Sequence, residues 1–175
     1  RNVTEHRYDA RHRKIETRQK LDRVSALEDA VTLFSYDAVN NLTAEQWPNS
    51  NLVQHEYDAL KRRTRSSDSL GELATFSYDA EGNITRETDA NGNEIVRHYD
   101  DLFRLSEEHL PENRVQRYSY DSADNRISHT NGRDHTTRVE YDGLNRLLKT
   151  IDPHPFAYEE SYSYDLVGNR ISMTD

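Results

Sequence analysis

The sequence predicts an all-β fold, an antiparallel strip of repeated β-hairpins, on three observations. The dipeptide Tyr-Asp recurs, turn-forming residues follow each copy, and strand-length segments lie between the turns. Successive repeat tyrosines are 28, 21, 21, 21, 21, 21 and 23 residues apart, and a period of this size is typical of an array of supersecondary units. The pairs are Tyr8-Asp9, Tyr36-Asp37, Tyr57-Asp58, Tyr78-Asp79, Tyr99-Asp100, Tyr120-Asp121, Tyr141-Asp142 and Tyr164-Asp165.

The first half of each unit predicts a turn followed by a strand. In the unit that begins at Tyr78, Asp79 opens a four-residue segment that ends on Gly82, which is the signature of a type I turn. Gly82 can adopt a positive φ and lead into a bulged hairpin. Lys61 and Phe103 occupy the same position in other units and are poorly suited to it. Residues 83–88 then form a predicted strand.

The second half of each unit predicts another turn and another strand. The segment Asp89-Ala90-Asn91-Gly92 contains Asn-Gly, the strongest short signal for a hairpin, and residues 93–99 form the strand that follows. In this strand Ile95, Arg97 and Tyr99 share one face. Stacked side by side, the repeat tyrosines would form a ladder of rings across the sheet.

A second regularity doubles the repeat. The residue five positions after each repeat tyrosine alternates strictly between arginine and asparagine, and an aromatic residue lies two positions before the tyrosine in every second unit. Neighbouring units are therefore predicted to be structurally non-equivalent. The alternating residues are Arg13, Asn41, Arg62, Asn83, Arg104, Asn125, Arg146 and Asn169.

Residues 1–175 are predicted to form a single array of about eight units, the last of them truncated. The longer first interval indicates an insertion within residues 14–33, where Ser25–Ala30 predicts a short helix. About fifteen strands would make a wide strip, and such a strip is expected to twist and curve.

Composition limits the possible functions. Hydrophobic residues make up 33% of the chain and the mean hydropathy is −1.07, while the 11 tyrosines favour a folded chain with a thin core. Cysteine is absent, which excludes disulfides and thiolate metal ligands. A net charge of −9 disfavours nucleic acid as a partner, and no apolar run is long enough for a membrane span.

No residue pattern predicts catalysis, a cofactor or a metal. A general acid or base is distinguished by its environment, whereas the repeat aspartates are equivalent and are predicted to cap turns. The eight histidines are scattered without an HxH or HxxxH pair. The tyrosines and aspartates of the eight pairs are accordingly predicted to be structural, and Trp47, the only tryptophan, is the candidate for a ligand contact.

The units resemble the YD repeat, also called the RHS repeat. The segments YDLVGNRISMTD (164–175) and YDAEGNITRETDANGN (78–93) match the pattern of this family closely, and YDGLNRLLKTIDP (141–153) departs from it only at a glycine. The resemblance extends over nearly the whole chain from Tyr8 onward. Members of the family include bacterial RHS toxins, the C components of insecticidal toxin complexes, and teneurins.

The resemblance implies a non-enzymatic role as part of a curved β-shell that scaffolds or encapsulates a toxin or another polypeptide. It implies a bacterial protein that is secreted or on the cell surface, with the rest of a larger RHS-type polypeptide as its partner. An alternative remains open, in which one face of the sheet binds carbohydrate or protein, or serves in cell-surface adhesion. Saturable binding of a glycan at Trp47 would favour this alternative.

Overall fold

The fold consists of β-strands only, throughout the part of the chain that the computed structural model describes, residues 3–20, 29–152 and 158–175. The strands are β1 Val3–Tyr8, β2 Lys14–Lys20, β3 Ala30–Tyr36, β4 Leu42–Gln46, β5 Leu52–Tyr57, β6 Arg63–Asp68, β7 Gly71–Tyr78, β8 Ile84–Asp89, β9 Glu94–Tyr99, β10 Leu105–Leu110, β11 Arg114–Tyr120, β12 Arg126–Thr130, β13 Thr136–Tyr141, β14 Leu147–Ile151, β15 Glu159–Tyr164 and β16 Arg170–Thr174.

The strands are hydrogen-bonded in sequence order from β1 to β16. The all-β antiparallel strip of repeated hairpins predicted from the sequence is therefore confirmed, with sixteen strands in the described residues rather than about fifteen. The chain divides into two compact units, Arg1–Gly82 with Glu87–Asn93, and Asn83–Arg86 with Glu94–Asp175. Within each unit, a described strand contacts only its neighbours in sequence.

Each repeat tyrosine of the described strand pairs lies beside a β-bulge. In the pair β9–β10, Tyr99 lies opposite Leu105 and His98 lies opposite Glu107, so that Ser106 is the extra residue. An extra residue lies at the same place, seven positions after the tyrosine, in the hairpins of Tyr8, Tyr36, Tyr57, Tyr120, Tyr141 and Tyr164. Because side chains alternate between faces with a period of two, this extra residue decides which side chains meet across the hairpin.

In six strands that end on a repeat tyrosine, the residue before the tyrosine is exposed and the tyrosine itself is partly covered. We call the face that carries the repeat tyrosines the tyrosine face, and the opposite face, which carries the residue before each tyrosine, the serine face. In β5, Val53, His55 and Tyr57 on the tyrosine face are partly covered, whereas Gln54 and Glu56 on the serine face are exposed. In β3, β7 and β11 the serine before the repeat tyrosine is likewise exposed, and the aromatic residues on either side of it are partly covered.

No apolar side chain among the described residues is buried, and the buried residues there are Glu16 and Ser66. The hydrophobic core is thus smaller than the tyrosine content predicts. Strands that contact only their neighbours in the sheet have no second layer packed on either face. Backbone pairing and polar side-chain contacts must supply the order that a hydrophobic core usually provides.

The turns after Tyr57 and Tyr99 form despite their unsuitable residues. Lys61 and Phe103 adopt φ values of 63° and 61°, in the left-handed region that disfavours side chains with a Cβ. Their backbone N–H groups donate to Asp58 and Asp100 as Gly82 donates to Asp79. The hydrogen bonds of the turn therefore outweigh the strain at this position.

Glycine at position 103 is expected to stabilise the chain. It relieves the backbone strain of the left-handed conformation of Phe103, and little packing is lost because the Phe103 side chain is exposed. We expect Phe103→Gly to raise the free energy of unfolding by up to about 1 kcal/mol, as measured by urea unfolding. Leu102→Gly is the matched control, since Leu102 is also exposed but is not in the left-handed region, and it should lower stability. A loss of stability in both variants would contradict the claim that the left-handed backbone of Phe103 is strained.

The Asn-Gly segments form longer turns than the two-residue hairpin that the dipeptide favours. The Asp89 N–H donates to the Asn93 carbonyl and the Gly92 N–H donates to the Asp89 carbonyl, with only Gly92 of the Asn-Gly pair at positive φ. The Asp89 carboxylate accepts the Asn91 and Asn93 N–H groups, which closes this larger loop.

The predicted helix over Ser25–Ala30 falls mainly outside the described residues, and its last residue begins strand β3. Nowhere in the described part of the chain is there a helix long and apolar enough to cross a membrane.

Candidate functional site

The Tyr-Asp turns share one hydrogen-bonding arrangement, which the turn at Asp100 illustrates. The Phe103 N–H donates to the Asp100 carbonyl at 2.8 Å, and the Asp100 N–H donates to the Arg104 carbonyl at 2.9 Å. Asp100 Oδ1 accepts the N–H groups of Leu102 and Arg104 at 3.0 and 2.9 Å. One carboxylate oxygen thus organises the backbone of the whole turn.

The same two backbone hydrogen bonds to the aspartate Oδ1 recur in both compact units of the chain. The donors are the residues two and four positions after the aspartate, and the acceptors that share this arrangement are Asp9, Asp37, Asp58, Asp100, Asp121, Asp142 and Asp165. This repetition gives the aspartates a common structural environment.

The alternating arginine and asparagine hold the second carboxylate oxygen. Arg104 Nε donates to Asp100 Oδ2 at 2.8 Å, and Asn125 Nδ2 donates to Asp121 Oδ2 at 2.9 Å. Arg13, Asn41, Arg62, Arg146 and Asn169 do the same in their own turns. Both residue types present an N–H group at the required place, so the turn itself accepts either.

Arginine also reaches the next turn along the chain. Arg104 Nη1 donates to the Asp121 carbonyl at 3.0 Å, and its guanidinium carbon lies 4.7 Å from the centroid of the Tyr120 ring. Arg13, Arg62 and Arg146 make the corresponding hydrogen bonds to Asp37, Asp79 and Asp165, and lie over Tyr36, Tyr78 and Tyr164.

We call this pairing of an arginine turn with the following asparagine turn the arginine clasp. It gives a physical reason for the doubled period, because the arginine binds the next carbonyl and covers the next ring, whereas Asn125 reaches only the Asn145 side chain of the next turn. The structure places an arginine, rather than another tyrosine, over these four rings, in place of the predicted ladder of tyrosines.

Six of the eight repeat tyrosine hydroxyls close a gap in backbone pairing. Strands β4 and β5 pair from Gln46↔Leu52 to Ala44↔Gln54, and beyond this point Tyr57 Oη donates to the Leu42 carbonyl at 2.8 Å. Equivalent bonds join Tyr36 to Lys14, Tyr78 to Arg63, Tyr99 to Ile84, Tyr120 to Leu105 and Tyr164 to Leu147. The tyrosine therefore ties its own strand to the preceding one where the backbone ladder stops.

Removing one such hydroxyl should weaken the fold. We expect Tyr57→Phe to lower the free energy of unfolding by about 1 kcal/mol in urea, because the Leu42 carbonyl loses its donor. Tyr8→Phe is the matched control, since Tyr8 lies on the first strand and is 58% exposed, and it should change little. Equal losses in the two variants would contradict the role of the cross-strand hydrogen bond.

The turn carboxylates are stabilised in their ionised form. Hydrogen bonds from the Arg104 side chain and backbone lower the pKa of Asp100 below its ordinary value, and bonds from the Asn93 side chain and backbone lower the pKa of Asp89 in the same way. The pKa is also lowered at Asp9, Asp37, Asp58, Asp121, Asp142 and Asp165.

Trp47, the predicted ligand contact, takes the first position of a turn between β4 and β5. Its N–H donates to the Asn51 carbonyl at 2.8 Å and its carbonyl accepts the Ser50 N–H at 2.9 Å. The residue is 47% exposed and, with Pro48, lines two shallow clefts beside β2 and β3. Its role as a ligand contact stays a prediction.

The strand pairing brings together three side chains that are separated in sequence. His98, Glu107 and His109 have potential ligand atoms that all lie within 4.8 Å of one another, and they are the one group of this kind in the described residues. The spacing of histidines along the chain gave no signal for this group. The hairpin register, including the bulge at Ser106, is what aligns it.

Fold and turns together define a class of protein, an all-β array of hairpins joined by Tyr-Asp turns. The family model described as RHS repeat matches residues 57–94, which confirms the predicted resemblance within that segment. No curated protein matches the sequence.

Solved structures share the fold over most of this chain. The crystal structure of TcdB2-TccC3-Cdc42 and that of TcdB2-TccC3 without its hypervariable C-terminal region each match 95% of this chain, with 19% identity and a TM-score of 0.74. The Photorhabdus luminescens Tc holotoxin pore matches 90%, with 19% identity and a TM-score of 0.67. This chain spans only 11%, 11% and 10% of those chains, respectively.

Proposed function

We propose that residues 1–175 form one non-enzymatic structural array, part of an RHS-type β-shell that scaffolds or encapsulates another polypeptide, such as a toxin segment. The observation that carries this proposal is the equivalence of the Tyr-Asp turns. Seven aspartates accept the same pair of backbone hydrogen bonds, so none of the seven is singled out for chemistry.

The charge state of the turn carboxylates supports a structural role. A carboxyl group that acts as a general acid near neutral pH needs a raised pKa, whereas the pKa values of these aspartates are lowered by donors of their own turns. Their oxygens are already occupied by backbone, arginine and asparagine N–H groups. We infer that the eight tyrosines and eight aspartates of the repeat serve the fold.

The open faces of the array support a polypeptide partner. Strands without a buried apolar core expose both faces, and such a surface can contact the rest of a larger RHS-type polypeptide or an enclosed segment. We propose further that the strip is curved and that the protein is a secreted bacterial one, in line with the family resemblance and with the Tc toxin complexes that share the fold.

Limited proteolysis of the complete polypeptide that contains this chain tests encapsulation. A segment enclosed by the array should resist a protease while the repeats are folded, and should be digested once mild denaturant unfolds them. The control is the same segment expressed alone, which should be digested under both conditions. Digestion of the segment at the same rate with the repeats folded and unfolded would contradict encapsulation.

A binding function, for carbohydrate or for a cell-surface protein in adhesion, has narrower support, which comes from Trp47. A half-exposed tryptophan beside two clefts has the geometry of a stacking platform for a sugar ring. Titration of Trp47 fluorescence with the glycans of a broad array tests it, and Trp47→Ala, which should no longer bind the glycan on the array, is the control. A saturable change would favour this function, and no change across the array would exclude carbohydrate at this position.

A further inference from the structure

Three potential metal ligands lie together on the serine face of the β9–β10 hairpin. His98 lies directly opposite Glu107, and His109 follows Glu107 by two residues, so all three side chains project from one face. The bulge at Ser106 creates this alignment. Without that extra residue, His98 would lie opposite Ser106, and Glu107 would lie opposite Arg97.

The distances suit a small ion. Glu107 Oε1 and His109 Nε2 are 2.5 Å apart, and the rings of His98 and His109 meet edge to face with their centroids 5.5 Å apart. The ligand atoms of the three residues lie within 4.8 Å of one another. Ligands around a zinc ion at about 2.0–2.2 Å are separated by about 3.3 Å, so small side-chain rotations bring all three to one centre.

The ligand types select the class of ion. Two imidazoles and one carboxylate bind Zn²⁺ well and leave a fourth position for water. The site lies where an ion can enter, since His98 is exposed and the side chains of His109 and Glu107 are 45% and 31% exposed. We propose that His98, Glu107 and His109 form a Zn²⁺ site that links strands β9 and β10.

A neighbouring arginine positions the carboxylate. Arg117 Nε donates to Glu107 Oε2 at 2.9 Å, which leaves Oε1 directed toward His109. Such hydrogen bonds from outside the ligand set orient carboxylate ligands and raise metal affinity. Arg117 is therefore a positioning residue for the site.

Zinc replaces a proton at this site. In the absence of the ion, the proton between His109 Nε2 and Glu107 Oε1 joins the two groups. A bound ion requires the lone pair of each ligating imidazole nitrogen, so that proton moves to the other ring nitrogen or to solvent.

Titration of the 175-residue chain with Zn²⁺, followed by calorimetry and by competition with a zinc indicator, tests the proposal. We expect one Zn²⁺ per chain, and at least a tenfold loss of affinity in His98→Gln, Glu107→Gln and His109→Gln. Arg117→Gln should lose about tenfold by disorienting Glu107. His135→Gln, at an exposed turn position, is the matched control and should bind as the unmodified chain does.

X-ray absorption of the zinc-loaded unmodified chain gives a test that does not depend on the folding of any variant. The spectrum should show two imidazole ligands, with nitrogen and oxygen atoms about 2.0 Å from the zinc ion. A spectrum with no imidazole or a single one would overturn the site, as would the absence of binding. Several weak ions per chain with equal losses in the His98, His109 and His135 variants would mean adventitious binding only, and would overturn it as well.

Discussion

Acidification from pH 7 to pH 3 is expected to unfold the chain, with most of the loss of stability below pH 5. Eight turn aspartates have a lowered pKa in the folded state, whereas an unfolded aspartate titrates at about 3.9. Each carboxylate stabilises the fold fully above the unfolded value. That contribution is lost as the pH falls through the lowered folded value.

Urea unfolding monitored by far-UV circular dichroism at pH 7, 5, 4 and 3 measures this effect. Repeating the series in 0.5 M NaCl separates two causes, because salt screens repulsion between exposed positive charges but does not restore the hydrogen bonds of a protonated carboxylate. We expect Asp100→Asn to be less stable at pH 7 and to show a smaller loss on acidification. A urea midpoint that is unchanged between pH 7 and pH 3 would contradict this role of the turn carboxylates.

Removal of one arginine clasp should destabilise two turns at once. We expect Arg104→Ala to lower the melting temperature by an amount of the order of 5 °C, because Asp100 Oδ2, the Asp121 carbonyl and the Tyr120 ring all lose their partner. Arg104→Asn should recover about half of this loss, since asparagine can still donate to Asp100 as it does in alternate turns.

Arg133→Ala, at an exposed turn position, is the matched control and should leave the melting temperature nearly unchanged. Hydrogen exchange of the turn N–H groups locates the effect. Arg104→Asn should speed exchange at the Asp121 turn more than at the Asp100 turn. Full recovery of the melting temperature by Arg104→Asn would mean that the contacts to Asp121 and Tyr120 contribute nothing.

Local patterns in the sequence were sufficient for the strands and for the Tyr-Asp turns. An aspartate that caps the N–H groups two and four residues on, and a tyrosine that ends a strand, depend on neighbouring residues only. The turns at Lys61 and Phe103 show where such local rules are insufficient, since the hydrogen bonds to Asp58 and Asp100 outweigh the preference of the residue at positive φ.

The contacts between turns depend on register and on side-chain reach, and the sequence does not display either directly. The alternation of Arg104 and Asn125 was visible as a pattern, but its partners, Asp121 and Tyr120, are reached across a strand pair. The cluster of His98, Glu107 and His109 depends on a single extra residue, Ser106. A shift of one residue would change the faces that meet, so spacing along the chain could not reveal the cluster.

A double-mutant cycle between Arg104 and Tyr120 tests the arginine clasp most directly. The first cycle compares Arg104→Asn, Tyr120→Leu and the double variant by urea unfolding. The control cycle uses Asn125→Ala and Tyr141→Leu, the corresponding pair of positions in which an asparagine stands in place of the arginine. The double variant of the first cycle should lose clearly less stability than the sum of its single variants, while the control cycle should be additive within error. Additivity in the first cycle, or equal coupling in both, would contradict the clasp as the origin of the doubled repeat.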